Sequence, residues 1–294
     1  MQTMSAIKES GKSDKSFAQR EFPMTDSDFE HIKSLAKQRS GIELGEHKKE
    51  MIYSRIVRRI RALGMTDFHR YLQFLEENPE AELTNFINAI TTNLTSFFRE
   101  SHHFDFLKST VIPELLQKKK SSRRVRIWSA GCSTGEEPYS IAMTLHEGLG
   151  RERWDARILA TDLDTNVLAH GRAGVYSKER IGNMDPKLVK KYFTGKAVSN
   201  GNQETMETND TLKNLIKFNH LNLLGEWPMK GKFDVIFCRN VVIYFSKDTQ
   251  RELFDRYANL IEPNGYLFIG HSESLHGVSQ RFESVGRTIY RKVK

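Results

Sequence analysis

Apolar residues recur at helical spacing in the first third of the chain and in short strand-like runs through the rest. Thr25 and Asp26 precede Phe29, Ile32, Leu35 and Ala36, which predicts a capped amphipathic helix stopped by Gly41. Ile52, Ile56, Ile60 and Leu63 line one face of a second helix over residues 47–63, with Gly64 as its stop and a strongly basic opposite face. Phe68, Tyr71, Leu72 and Leu75 predict a third helix, and Pro79 opens a fourth through Leu83, Phe86, Ile87 and Ile90. Residues 23–95 are therefore expected to form a small N-terminal all-α domain.

Residues 96–124 read as a linker with its own helix (Phe104, Leu107, Val111), ending in the charged run from Lys118 to Arg124. From residue 125 the pattern changes. Strand-like runs at 125–130, 157–161, 215–218, 233–238, 265–270 and 282–293 alternate with helical ones at 138–149 and 165–173. Such alternation predicts an α/β domain over residues 125–294, a parallel sheet with helices on both faces. The interval of about 175–215 is longer than a crossover needs and includes the polar stretch 199–204. It is expected to be an inserted subdomain with a mobile tip.

Composition narrows the function classes. No apolar run approaches the roughly 20 residues that span a bilayer, so a membrane protein is excluded. Residues 1–22 are polar, lack the apolar centre of a secretion signal and are expected to be a disordered tail on a cytoplasmic protein. Two distant cysteines, Cys132 and Cys238, support neither a disulfide framework nor a zinc knuckle. The formal charge of +8 favours an acidic partner without saying whether it is nucleic acid, a membrane surface or a protein.

Candidate chemistry is expected at strand ends, where open α/β sheets bind ligands. After the first strand, Ala130-Gly131-Cys132-Ser133-Thr134-Gly135-Glu136-Glu137-Pro138 combines two glycines with two acids at a helix start. Carboxylates there repel a pyrophosphate and attract a cation, such as the ammonium and sulfonium of S-adenosylmethionine. After the second strand, Asp162 stands where an acid binds ribose hydroxyls in nucleotide folds, and is preferred to Asp164. His102, His103 and His271 lack companion ligands at metal spacing, so no metal is expected.

Five segments make a resemblance specific: Ala89-Ile90-Thr91-Thr92-Asn93-Leu94-Thr95-Ser96-Phe97-Phe98-Arg99-Glu100, Ser133-Thr134-Gly135-Glu136-Glu137-Pro138-Tyr139-Ser140, Ala160-Thr161-Asp162-Leu163-Asp164, Phe237-Cys238-Arg239-Asn240-Val241-Val242-Ile243-Tyr244-Phe245 and Gly270-His271-Ser272-Glu273. In this order the chain resembles the chemotaxis receptor glutamate methyltransferases, the CheR family, from about residue 25 onward. The resemblance implies a class I S-adenosylmethionine-dependent (Rossmann-like) domain, a small N-terminal all-α domain and an inserted antiparallel β-subdomain. It places Asn93, Thr95, Arg99, Glu137, Asp162, Asn222, Leu223, Arg239 and Asn240 around the cofactor and Tyr244 near the reacting methyl group. Gly131-Cys132 departs from the commoner small residues of that loop and is expected to change packing or thiol reactivity.

The implied reaction carries a methyl group from S-adenosylmethionine to receptor glutamates, giving methyl esters and S-adenosylhomocysteine. A glutamate is ionised at neutral pH, so no general base is required. Arg99 or Arg239 could orient the incoming carboxylate, with Tyr244 and Arg99 as the catalytic pair. The implied partner is the cytoplasmic helical domain of chemotaxis receptors, met by Arg55, Arg58 and Arg59 of the basic helix, with the receptor's C-terminal tail gripped by the insert. Membrane contact is then indirect, through the receptor, and the chain is expected to be monomeric. Two competing readings are a nucleic-acid methyltransferase and a non-catalytic cofactor-sensing adaptor. The first lacks an Asn-Pro-Pro-aromatic signature and aromatics interleaved with the basic helix.

Overall fold

Capping and apolar periodicity shape the first of two units into which the chain divides, residues 1–35 with 45–89. The computed structural model describes residues 20–150, 153–196 and 204–294. Most of the expected tail and all but the end of the polar stretch 199–204 lie outside the described residues. Helix α1 (Asp26–Ser40) is capped by Thr25, whose hydroxyl accepts from Asp28 N while Asp28 Oδ2 accepts from Thr25 N. Helices α2 (Lys49–Ala62), α3 (Phe68–Glu77) and α4 (Pro79–Ile90) follow, α3 capped by Asp67. Ile52, Ile56, Ile60, Phe68, Tyr71, Leu72 and Phe86 are buried as the periodicity requires. Leu63 falls just past α2 and is only half-buried.

The α4 stripe hides one polar exception. Glu82 is 1% exposed, and its carboxylate accepts from Arg59 Nε (2.8 Å), Arg59 Nη2 (2.7 Å) and the Tyr71 hydroxyl (3.1 Å). The expected receptor contact at Arg59 is therefore corrected: its fork is spent on a buried carboxylate inside this unit. Arg55 donates to the Ala89 carbonyl, whereas Arg58 is exposed.

The second unit comprises residues 36–44 and 90–294. A short α5 (His102–Phe106) runs through a π-turn into α6 (Ile112–Lys118). Then come β1 (Arg124–Ala130), α7 (Glu136–Gly148), β2 (Asp155–Asp162) and α8 (Thr165–Ala173). The insert holds β3 (Val175–Ser177), α9 (Lys178–Ile181), α10 (Pro186–Tyr192), β4 (Phe193–Lys196), β5 (Thr205–Thr208) and α11 (Asp210–Lys213). The main sheet resumes with β6 (Ile216–His220), β7 (Phe233–Cys238), α12 (Lys247–Leu260), β8 (Ile261–Ile269), β9 (Phe282–Gly286) and β10 (Ile289–Lys292).

Seven strands lie in the order β6-β2-β1-β7-β8-β10-β9, the first five parallel and the last two antiparallel. The single strand expected over 282–293 is split by a turn with Thr288 at φ +57°, which folds it back as a hairpin. Trp128, Tyr139, Phe237 and Phe268 are fully buried, and the Phe237 and Phe268 rings stack at 4.4 Å across β7 and β8. The insert forms the expected small antiparallel sheet, with β5 between β3 and β4. Strand order reverses between β1 and β7, so the crevice for a ligand opens at their carboxyl ends, beside that of β2.

Replacing Arg59 by Ala leaves the buried Glu82 carboxylate without its guanidinium. The variant is expected to lose about 3–5 kcal/mol in the N-terminal helical unit, measured by denaturant unfolding. Stability unchanged from wild type would refute the structural assignment.

Candidate active site

Three loops meet the crevice, one after each of β1, β2 and β7, and a fourth segment over residues 91–100 packs against them. The backbone there is unusual for side-chain-bearing residues. Phe98, Glu100, Ser133 and Asn240 all take left-handed φ values of 49–58°. Strain of this kind gathers where surrounding contacts fix a functional geometry. Gly131, at φ +87°, turns the chain after β1, and a Cβ on it would lie 2.4 Å from Val241 Cγ2 in the loop after β7. Only glycine lets the two loops close to this distance.

Asp162 ends β2 and is partly exposed. Its Oδ2 accepts from Ser133 N at 2.8 Å and its Oδ1 from Asp164 N at 3.0 Å. Burial pushes its carboxyl up to about 6, against the backbone hydrogen bonds that favour ionisation. Asp164 instead caps α8, accepting from Asn166 N, and holds the 91–100 segment through Thr91 Oγ1 (2.9 Å) and Asn93 Nδ2 (2.7 Å). The bond from Asn93 to Asp164 explains why Asn93 lies there. Ser133 Oγ donates to the Asn93 carbonyl, closing the ring of loops.

The expected role of the acids at the start of α7 needs correction. Glu136 is fully buried, accepting from Thr134 Oγ1 at 2.6 Å and paired with Arg180. Glu137 accepts from Ser129 Oγ at 2.7 Å and from Arg239 Nη1 at 3.1 Å, and burial raises its pKa. Arg239, 6% exposed, also lies 3.3 Å from Glu100 Oε2 and donates to the Arg99 carbonyl. An orienting role for Arg239 toward an incoming carboxylate is therefore corrected: its charge is already shared by two acids. The guanidinium therefore bridges two acids beside the crevice, Glu100, which is held ionised, and Glu137, which burial pushes toward its neutral form.

Arg99 is half-buried, donates to the Leu94 carbonyl at 2.8 Å, and is close enough to Tyr244 for its charge to favour the phenolate. Burial is the larger influence and leaves the Tyr244 pKa raised. Thr95 is half-buried in the same segment. Asn222 donates to the Arg39 carbonyl, and Leu223 is buried with its carbonyl accepting from Trp227 and Arg256. Cys132 is buried and its thiol is pushed well above the ordinary range, so a reactive thiol is not what this loop provides.

Sequence spacing missed one cluster. Glu100, His102 and His103 bring ligand atoms within 4.8 Å of one another, and His271 Nδ1 lies 3.0 Å from Glu100 Oε1. Arg239 already supplies the positive charge at Glu100, and burial with that charge lowers the His103 pKa to about 3. The cluster is thus charge-paired, with the Glu100 pKa lowered to about 2: burial opposes ionisation, and the His271 hydrogen bond and Arg239 outweigh it. Glu100, His102 and His103 are neighbours in the chain, and His271 reaches them from the turn after β8.

Residues 93–291 match the family described as CheR methyltransferase, SAM binding domain, and residues 27–91 match CheR methyltransferase, all-alpha domain. The chain belongs to the CheR methyltransferase family. It is 43% identical to the chemotaxis protein methyltransferase of Escherichia coli over 269 residues, 91% of each chain. The corresponding protein of Klebsiella aerogenes is 43% identical over 290 residues, 98% of this chain and 97% of its own. A probable chemotaxis protein methyltransferase of Rhizobium etli is 44% identical over 255 residues, covering 86% and 94%. The family cofactor, S-adenosylmethionine, fits the donor set present: a carboxyl group, Asp162, ends β2 at the crevice, and the acids Glu100 and Glu137 stand beside it.

Asp162 holds its proton more tightly when folded than at its ordinary value of 3.8, so its ionisation works against the fold. Its contribution to the cofactor-free protein is expected to fall as pH rises from 3.8 to about 6 and to stay low above. Comparing the pH dependence of unfolding for wild type and Asp162→Asn isolates this step. Parallel curves across that window would show that Asp162 is not perturbed.

Proposed function

We propose that the chain methylates glutamate side chains of chemotaxis receptors, giving glutamyl methyl esters and S-adenosylhomocysteine. The observation that carries this reading is the match of residues 93–291 to the CheR methyltransferase family, with the Glu100–Arg239–Glu137 cluster beside the crevice. S-adenosylmethionine, when bound, supplies an electrophilic methyl group on a positively charged sulfur. Asp162 holds the ribose, while Asn93, Thr95, Glu137, Asn222, Leu223, Arg239 and Asn240 form or brace the surrounding wall.

The substrate carboxylate arrives ionised, so the protein has to align and desolvate it, with no proton to remove. Arg99 meets that carboxylate. Its bond to the Leu94 carbonyl leaves other guanidinium donors for a substrate oxygen. A tight ion pair would stabilise the starting carboxylate more than the charge-diminished transition state, so Arg99 orients without fully neutralising. Tyr244, held un-ionised by its raised pKa, adds a hydroxyl that orients the reacting groups without introducing negative charge.

Receptor helices carrying acidic targets are met by the basic face of α2, where Arg58 is exposed and Arg55 half-buried. The outer strands β3 and β4 of the insert give edges on which a receptor tail adds as a further strand. Both encounters belong to a cytoplasmic enzyme working at the receptor's cytoplasmic domain.

Transfer of labelled methyl to purified receptor, followed by release of the label in base, tests the reaction, with DNA and RNA as controls. Label on nucleic acid, or label on receptor that resists base, would overturn it. Tyr244→Phe is expected to lower kcat about 10–100-fold with little change in cofactor affinity. Unchanged kcat would remove Tyr244 from the chemistry. Arg58→Glu is expected to weaken receptor methylation more at low than at high salt, as exposed charge steering requires. Loss independent of salt would rule out a steering role for Arg58.

A further inference from the structure

The loop after β7 hangs from one carboxylate. Glu273, in the turn after β8, is 6% exposed and accepts five backbone N–H groups. Its Oε2 takes Asn240 N (3.0 Å) and Gly270 N (2.5 Å), and its Oε1 takes Val241 N (2.9 Å), Val242 N (2.9 Å) and Ile243 N (3.4 Å). Four consecutive amides turned to one point form an anion-binding concavity, here filled by the protein's own side chain.

Other contacts make this arrangement directional. Asn240 sits at φ +58°, and a Cβ at Gly270 would lie 2.4 Å from its Nδ2 and 2.8 Å from its backbone nitrogen. The glycine therefore allows the carboxylate turn to close against Asn240. On the opposite side of the loop, Gln250 Nε2 donates to the carbonyls of Val242 (2.9 Å) and Phe245 (3.0 Å), and Glu43 N donates to the Tyr244 carbonyl (2.9 Å). Amides are held by Glu273 and carbonyls by Gln250, so the short helical turn Val242–Tyr244 is fixed from both faces. Ile243 and Tyr244 are left with their side chains outward, 46% exposed and half-buried respectively.

We propose that Glu273 is a positioning residue for methyl transfer: its carboxylate sets the backbone from Asn240 to Ile243 and so the placement of the Tyr244 hydroxyl. This rests on the role given to Tyr244 above. Glu273 acts through the main chain, and behind burial its carboxylate charge also helps to raise the Tyr244 pKa. A glutamine in its place carries one acceptor oxygen and one donor nitrogen, and the nitrogen would face amide hydrogens. At least one set of amides then loses its partner, and the turn shifts. Displacement of about 1 Å in an aligned site costs on the order of 100-fold in rate.

The test uses the full chain and three variants, Glu273→Gln, Tyr244→Phe and the double variant. Hydrogen exchange is expected to quicken in Glu273→Gln at amides 240–243, with the sheet amides of β1 and β2 unchanged. Its kcat for receptor methylation is expected to fall about 10–100-fold, and the same change in a Tyr244→Phe background to cost less than about threefold. A folded Glu273→Gln with wild-type kcat, or a loss that multiplies in full with that of Tyr244→Phe, would overturn the proposal. Should Glu273→Gln fail to fold, Glu273→Asp keeps the charge one methylene short, and the same exchange and kinetic outcomes decide. A wild-type enzyme that methylates no receptor would instead sink the proposed reaction. The exchange experiment would still judge the clamp, since unchanged protection at 240–243 refutes it whatever the substrate.

Discussion

The guanidinium of Arg239 lies between the carboxylates of Glu100 and Glu137, all three largely withdrawn from water. Charges buried this way are costly unless paired and hydrogen-bonded, so the three segments that carry them must be present together. Arg239 follows β7, Glu137 begins α7, and Glu100 closes the segment after α4. The same guanidinium also binds the Arg99 carbonyl, which ties the residue proposed to meet substrate to the centre of the cluster. Removing Arg239 would unpair two acids at once, and the crevice wall would lose its common point.

Methyl transfer to an ionised carboxylate asks mainly for placement. The local structure suits that demand. Left-handed residues at Phe98, Glu100, Ser133 and Asn240 put strain into the turns around one crevice, and three of them are held through their backbone N–H: Phe98 N to Ser140 Oγ, Ser133 N to Asp162, Asn240 N to Glu273. A turn held this way resists relaxing into an easier conformation. Arg99 and Tyr244 are thus carried on backbone with few alternatives.

Periodicity and strand ends made much of this readable from the chain alone. Four helices, the alternating β and α runs and the insert all follow from local spacing, which the folded structure keeps. Asp162 was singled out because a strand end is a fixed address in an open sheet. The misses share a cause: a side chain's partner lies far along the sequence. Arg59 looked like surface charge because Glu82, 23 positions on, sits among apolar neighbours that hide a buried acid. Arg239 looked available because its partners Glu100 and Glu137 lie in other segments. Glu273 shows no local signal, since its partners are backbone amides about 30 residues earlier. Resemblance supplied Asn93, and its physical reason, the bond to Asp164 71 positions away, needed coordinates.

The insert leaves the main domain at Gly174 and comes back beside it, where Thr208 N donates to the Gly174 carbonyl at 2.9 Å. Its inner side is bonded to the turn after β1 through the Tyr176 hydroxyl on the Thr134 carbonyl, while β4 and β5 extend outward as a hairpin. Entry and exit share one neck, so the hairpin resembles a cartridge in a socket. Substitutions on β4 and β5 can therefore leave the register of β2 against β6 undisturbed, as exchanging a cartridge leaves its socket unchanged.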